Sequence, residues 1–186
     1  MRIIGGTLRR TVIPSPPGNQ TRPTMDSLRE SVFDVLERHR GFGGARVLDL
    51  YAGSGILTWE ALSRGAERAV MVDMSTEICR HLRAVATTLG VGHRVEIIRT
   101  DALAAIETMQ LPVFDCVFAD PPYARRDGNR ALQALAATSL VSDGGMVVIE
   151  HGDQEYLLPT SGFEPLWQGA RSSCVVDVLR CVRANP

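Results

Sequence analysis

The chain contains no lysine, and all twenty of its basic side chains are arginine. Arginine's planar fork suits bidentate contact with phosphate. An all-arginine set also follows from a GC-rich genome, so this bias alone assigns no partner. No apolar run approaches the roughly 18 residues that a membrane span requires, and the opening Met1–Arg10 lacks the apolar stretch of a secretory leader. A cytoplasmic protein away from membranes is therefore expected. Cys79, Cys116, Cys174 and Cys181 form no CxxC pair, which argues against a disulfide framework or a zinc site and suits small buried apolar residues. His39, His81, His93 and His151 do not fall at ligand spacing and no HExxH occurs, so no metal is expected. His151 is expected at the surface, close to whatever pocket the fifth strand borders.

What is present fits one compact domain with a short appendage. The 186 residues are 45% hydrophobic and 22% charged, with a net charge of −1, close to soluble globular averages. Charge is uneven along the chain: residues 1–22 carry Arg2, Arg9, Arg10 and Arg22 and no acid. A solvated basic tail and a nucleic-acid contact account for that equally well.

The N-terminal pieces Arg2–Ile4 and Leu8–Ile13, split by Gly5-Gly6, read as a hairpin. Thr24 can cap a helix running to about Arg40 on a stripe of Leu28, Val32, Val35 and Leu36, stopped by Gly41. Strands and helices then alternate. Strands are expected at Val47–Tyr51, Ala69–Val72, Val95–Ile98, Phe114–Ala119 and Met146–Glu150, with helices at Ile56–Arg64, Thr76–Leu89, Ala102–Met109 and Arg130–Ser139. Repeated β-α units imply a parallel sheet covered on both faces. Beyond Glu150 two strand-like pieces, Gly162–Gln168 and Cys174–Val182, read as a terminal antiparallel hairpin. The expected fold class is α/β: a Rossmann-like, seven-stranded, mostly parallel sheet of the class I methyltransferase type, with a short N-terminal hairpin and helix. The expected division is an arm and helix over residues 1–41 and a catalytic domain over 42–186.

In such sheets ligands bind at the carboxyl ends of the strands. Asp49-Leu-Tyr-Ala-Gly53-Ser-Gly55 closes the first strand. Gly53 and Gly55 permit a tight turn and close approach to a ligand. The third glycine of GxGxxG is missing, and Asp49 suits a cationic amino acid group better than a pyrophosphate. Asp73 closes the second strand and can accept from ribose hydroxyls. Asp101 follows the third, placed either to read an adenine amine or to cap a helix. Tyr51 lines the cofactor mouth or simply packs. Three acids at successive strand ends point to S-adenosylmethionine.

Asp120-Pro121-Pro122-Tyr123 follows the fourth strand. The two prolines fix the loop and remove two backbone donors, leaving the Asp120 carboxylate and the Pro121 carbonyl as acceptors. An exocyclic amine on a nucleobase is a poor nucleophile because its lone pair is delocalised into the ring. Two acceptors gripping its hydrogens would aim that lone pair at a methyl donor, and Tyr123 could stack on the base for about 1–3 kcal/mol. The base must be single-stranded or extruded to reach such a pocket. DNA amino-methylation at adenine or cytosine remains compatible, although 186 residues leave no room for a target-recognition domain. A non-catalytic binding module would not need an intact DPPY, and a nicotinamide oxidoreductase is the weakest alternative.

With Arg2-Ile-Ile-Gly-Gly6, Thr21-Arg-Pro-Thr24-Met-Asp26-Ser-Leu-Arg29-Glu30-Ser-Val-Phe33, Asp49 to Gly55, Glu60-Ala-Leu-Ser-Arg-Gly65 and Asp120 to Tyr123 in hand, the chain resembles the RsmD family of 16S rRNA guanine-N2 methyltransferases over nearly its full length. The resemblance implies methylation of guanine 966, presented by the small ribosomal subunit or its assembly intermediate. A monomer is expected. The same resemblance implies that Arg22 and Thr24 border the cofactor mouth. It also implies that Arg2, Arg9, Arg10 and Arg29, with Arg125 and Arg126 beyond the DPPY, contact RNA. The sequence departs from the family at Gln168-Gly169, where a Tyr-Gly pair is usual.

Overall fold

The computed structural model describes residues 1–16, 25–122 and 127–183. Expectations placed on Arg22, Thr24, Tyr123, Arg125 and Arg126 lie outside those residues.

After helix α1 (Met25–His39) the chain alternates through β1 (Arg46–Leu50), α2 (Ile56–Ser63), β2 (Arg68–Asp73), α3 (Thr76–Thr88), β3 (Val95–Arg99), α4 (Ala102–Thr108), β4 (Phe114–Ala119) and α5 (Gly128–Ala136). It closes with β5 (Val141–Gly152), β6 (Phe163–Arg171) and β7 (Cys174–Cys181). The seven strands form one sheet in the order β3-β2-β1-β4-β5-β7-β6. Strands β1 to β5 run parallel, and β7 inserts antiparallel between β5 and β6. This is the expected α/β architecture with its terminal hairpin.

Alternation along the strands assigns each face. Val47, Cys116, Phe118, Met146 and Val148 join a cluster with Val32 and Phe33 of α1, Trp59 of α2 and Leu82 of α3. Leu48, Leu50, Val117, Val147 and Ile149 face the other way, onto Leu103 and Ile106 of α4 and Leu132 and Leu135 of α5. The sheet is thus sandwiched between α1–α3 and α4–α5. Because the strand side-chain period is two, one register fixes the facing of every residue.

Local signals set the helix ends. Ser75 caps α3 by accepting from the Ile78 amide, and Asp101 caps α4 by accepting from Leu103 and Ala104. Helix α2 differs from the others in burying Thr58 through Ser63 without a break. The N-terminal segment covers its outer side. There the Glu60 carboxylate takes the amides of Ile4 and Gly5, each at 2.7 Å, and the Ser63 hydroxyl accepts from Leu8 at 2.8 Å. Gly6 sits at φ +74 with a Cβ position that would overlap the Ser63 carbonyl, so only glycine fits. Ile3 and Ile13 drop into the same apolar cluster as α1, each contributing about 1.5–3 kcal/mol.

The structure departs from expectation in four places. The N-terminal hairpin reduces to a single bridge, Arg2 with Val12, because side chains of α2 take the amides of Ile4, Gly5 and Leu8. A one-turn 3₁₀ helix, Gly92–Arg94, precedes β3. Strand β5 starts at Val141, where it pairs with Phe114 before a register shift, and Gly144-Gly145 is an irregularity inside it rather than a stop. His151 is buried, not at the surface.

Candidate active site

The strand order reverses between β1 and β4, so the carboxyl ends of these two strands frame the crevice where such folds take ligands. The β1–α2 loop forms one wall. Tyr51 follows β1 at φ +62, with Gly53 at φ +52 and Gly55 at φ +73 beyond it. The two glycines do different work. A Cβ on Gly53 would approach only the Tyr51 carbonyl, at 3.7 Å, so that backbone faces open space. A Cβ on Gly55 would lie 2.5 Å from Met71 and 2.6 Å from Trp59 Nε1, so Gly55 is required by the core beneath. Trp59 also donates from Nε1 to the Ser54 carbonyl at 2.9 Å, which holds the loop in place. Tyr51 packs its ring against the α4–α5 side of the core.

Asp73 ties this wall to the next. Its Oδ2 accepts from Gly53 at 3.1 Å and its Oδ1 from the Ser75 amide at 2.8 Å. Met74 beside it is 62% exposed and offers an apolar surface at the same edge; a methionine after a strand-end acid carried no sequence signal. Asp101 directs Oδ1 to its own helix, at 3.0 Å from Leu103 N and 3.2 Å from Ala104 N. Its capping role is therefore met, and the edge it presents is the β3–α4 turn.

Asp49 is buried under this rim. Thr58 donates to its Oδ2 at 2.6 Å. Burial pushes its carboxyl up to about 7, partly offset by hydrogen bonds from Thr58, with a smaller push from the charge of Asp73. Through Thr58 it ties the end of β1 to helix α2.

The Asp120 amide extends the β1–β4 ladder by donating to Leu50 O at 3.4 Å. Pro121 behind it is buried and Pro122 exposed. Burial lifts the Asp120 carboxyl well above its ordinary range, and the charges of Glu150 and then Asp49 add to that. Glu150 was missed in the sequence, although an acid ending the fifth apolar strand repeats the pattern of Asp49, Asp73 and Asp120.

Further around the edge, buried His151 places Nε2 2.7 Å from Asp177 Oδ2 and Nδ1 2.9 Å from the Gly152 carbonyl. Gln168, at the family's Tyr position, donates to the other Asp177 oxygen at 2.8 Å. This network belongs to the β5–β7–β6 sheet, on the face opposite Asp120.

Of the arginines expected to meet RNA, Arg2, Arg9 and Arg10 are exposed. Arg29 is a correction. It is 6% exposed and donates from NH2 to the Arg2 carbonyl at 2.7 Å, so it anchors the N-terminal segment to α1. The helical stripe that buries Leu28, Val32 and Val35 carries Arg29 inward beside them. A cavity of about 280 Å³ lies at the opposite edge of the sheet, lined by Arg46, Arg68, Arg94 and Phe114, away from these acids.

Residues 1–171 match the family model described as "Conserved hypothetical protein 95". The Bacillus subtilis (strain 168) protein YlbH is 34% identical over 86% of each chain. The "Ribosomal RNA small subunit methyltransferase D" of Escherichia coli (strain K12) is 32% identical over 86% of this chain and 78% of its own. Among solved structures, the Escherichia coli protein yhhF superposes with a TM-score of 0.86 at 26% identity, covering 99% of both chains. With its strand-end acids, glycine loop and DPPY, the chain belongs to the RsmD family of S-adenosylmethionine-dependent methyltransferases.

Proposed function

We propose that the protein methylates the exocyclic N2 amine of a guanine in 16S rRNA, at the position the family resemblance gives as guanine 966, within the small ribosomal subunit or its assembly intermediate. The observation that carries this reading is the placement of Asp120, backed by Pro121, at the switch point beside the glycine loop. Relatives named for small-subunit rRNA methylation support the choice of RNA.

The residues present fit the cofactor. Gly53 leaves backbone open to a ligand, Asp73 has lone pairs beyond its two amide partners for ribose hydroxyls, and Met74 offers an apolar flank for a purine ring. S-adenosylmethionine supplies an electrophilic methyl on a sulfonium. The protein's part is positioning. Asp120 and the Pro121 carbonyl accept the two amine hydrogens and turn the nitrogen lone pair outward, while Tyr123 stacks on the extruded base. The amine proton becomes acidic as the new N–C bond forms, and Asp120 is placed to receive it. Arg2, Arg9 and Arg10 hold the RNA backbone.

The test is transfer of labelled methyl to small subunits lacking the endogenous modification, with duplex DNA alongside and digestion to nucleosides. Label in N2-methylguanosine is expected, and label only in N6-methyladenine would overturn the guanine assignment. Asp120→Ala should abolish transfer and leave S-adenosylmethionine binding intact.

A further inference from the structure

We infer that the cavity at the amino edge of the sheet is a phosphate-binding site, in which Arg46 and Arg68 hold a backbone phosphate of the RNA substrate remote from the target nucleotide. This rests on the RNA reading above and extends the RNA footprint past the crevice to the far end of the strands.

Strand register builds the site. Arg46 opens β1 and Arg68 opens β2, and the two are partners across the parallel pair, on strands about 4.8 Å apart. Both are exposed, and both border the cavity of about 280 Å³ together with His93, Arg94, Glu96 and Phe114. Arg94 is fixed from behind. Its Nε donates to the Glu67 carbonyl at 3.3 Å, and its NH2 to the Leu62 carbonyl at 3.2 Å and to that of Ala66. Those bonds hold its charge at the cavity wall. Among the described residues, the guanidinium groups of Arg46 and Arg68 donate no hydrogen bond and form no ion pair.

Like charges set opposite each other on neighbouring strands are destabilising, so stability does not account for this pairing. The nearby acids do not offset it. Asp115 accepts the Arg46 amide at 2.9 Å, but its carboxylate is paired with Arg40 and takes the Ser142 hydroxyl. Glu96 brings one carboxylate to a wall that carries three guanidinium groups. An anion relieves the repulsion, and arginine forks match the oxygens of a phosphate. Such a contact positions the nucleic acid without reading its sequence. The cavity lies at the opposite end of the strands from the chemistry. Arg46 to Leu50 is four strand steps, about 13 Å at roughly 3.3 Å per residue, a span that a few nucleotides of RNA cover. Exposed arginines at the opening suit a chain passing over the cavity better than an enclosed small molecule.

The test measures methyl transfer by the full chain to small subunits lacking the modification, across a series of salt concentrations. The cavity variant is Arg46→Gln with Arg68→Gln. Arg38→Gln with Arg80→Gln is the control, removing the same charge from exposed positions of α1 and α3. The cavity variant should raise KM at least about threefold at low salt, and its KM should depend on salt less steeply, by roughly 0.7–0.9 in log–log slope, the share of one phosphate. Its kcat, its affinity for S-adenosylmethionine and its thermal midpoint should not fall below wild type, because the two arginines repel each other and stand away from the crevice. The control should keep the wild-type slope. An unchanged slope in the cavity variant, or an equal change in the control, would overturn the inference and leave the RNA reading standing, since the wild-type protein would still methylate the subunits. Inorganic phosphate and guanosine monophosphate are titrated alongside by calorimetry. Either one binding wild type but not the cavity variant, while KM is the same for both, would assign the cavity to a free phosphate ligand and overturn the RNA contact. Wild-type protein that labels no RNA at all would overturn the RNA reading, and the inference with it.

Discussion

Glu60 Oε1 accepts the Gly5 amide at 2.7 Å across 55 residues of sequence, and its Oε2 takes Ile4 at the same distance. Two motifs that stand apart in the chain, Arg2 to Gly6 and Glu60 to Gly65, are thereby two halves of one joint. Arg64 completes it, with Nε 2.9 Å from Glu60 Oε1 and its guanidinium over the Phe33 ring at 5.1 Å.

Glu60→Ala leaves two amides and a guanidinium without their shared acceptor. Unsatisfied buried groups of this kind cost about 1–3 kcal/mol each. The urea midpoint should fall by an amount of that order, and a protease should begin to cut within residues 1–13 while the sheet domain stays resistant. An unchanged digestion pattern would show that the apolar anchors Ile3 and Ile13 hold the segment by themselves.

The two loop glycines should separate stability from binding. Gly55→Ala forces a methyl against Met71 and Trp59 at φ +73, where overpacking costs roughly 1–3 kcal/mol, so its thermal midpoint should drop. Gly53→Ala meets open space and should cost only the left-handed backbone penalty, on the order of 1 kcal/mol, while weakening S-adenosylmethionine binding more than Gly55→Ala does at matched folded fraction. Calorimetric titration on both variants decides this.

Asp49 makes stability depend on pH in a defined direction. Its folded value of about 7 lies above the ordinary 3.8, so between those limits the unfolded chain ionises first and folding stability falls as pH rises. Below pH 4 both states are protonated and the contribution vanishes. Three pH units correspond to about 4 kcal/mol. Asp49→Asn, which can still accept from Thr58, should therefore be more stable than wild type at pH 7 and nearly equal to it at pH 4. Parallel denaturant curves at the two values would refute this if the wild type led at both.

His151 also makes stability fall as pH rises, but through loss of a favourable interaction rather than through a desolvated charge. Burial is the largest single influence and works against its charge, but the Asp177 hydrogen bond, the Gly152 carbonyl and the charges of Asp177 and Glu155 together outweigh it, and its value lies above the ordinary 6.5. The stabilisation is complete below 6.5 and is lost as pH rises through the folded value. Asp177→Asn should flatten this loss above pH 6.5, and an imidazole titration followed by NMR should shift to lower pH.

Sequence alone determined the succession of strands and helices, the acids that close β1, β2 and β4, and the Asp120-Pro121-Pro122 turn. Those are local properties: an apolar run bounded by glycine, a cap residue before a helix, a proline pair after a strand. The terminal hairpin was legible for the same reason, and the four cysteines were correctly read as buried. Only the tertiary structure decided which face each acid occupies, that Gly55 serves the core while Gly53 faces the crevice, and that Arg29 and His151 turn inward. Each of these depends on strand order and register, set by pairings between residues far apart in the chain. A shift of one residue would exchange the two faces of a strand without altering its periodicity.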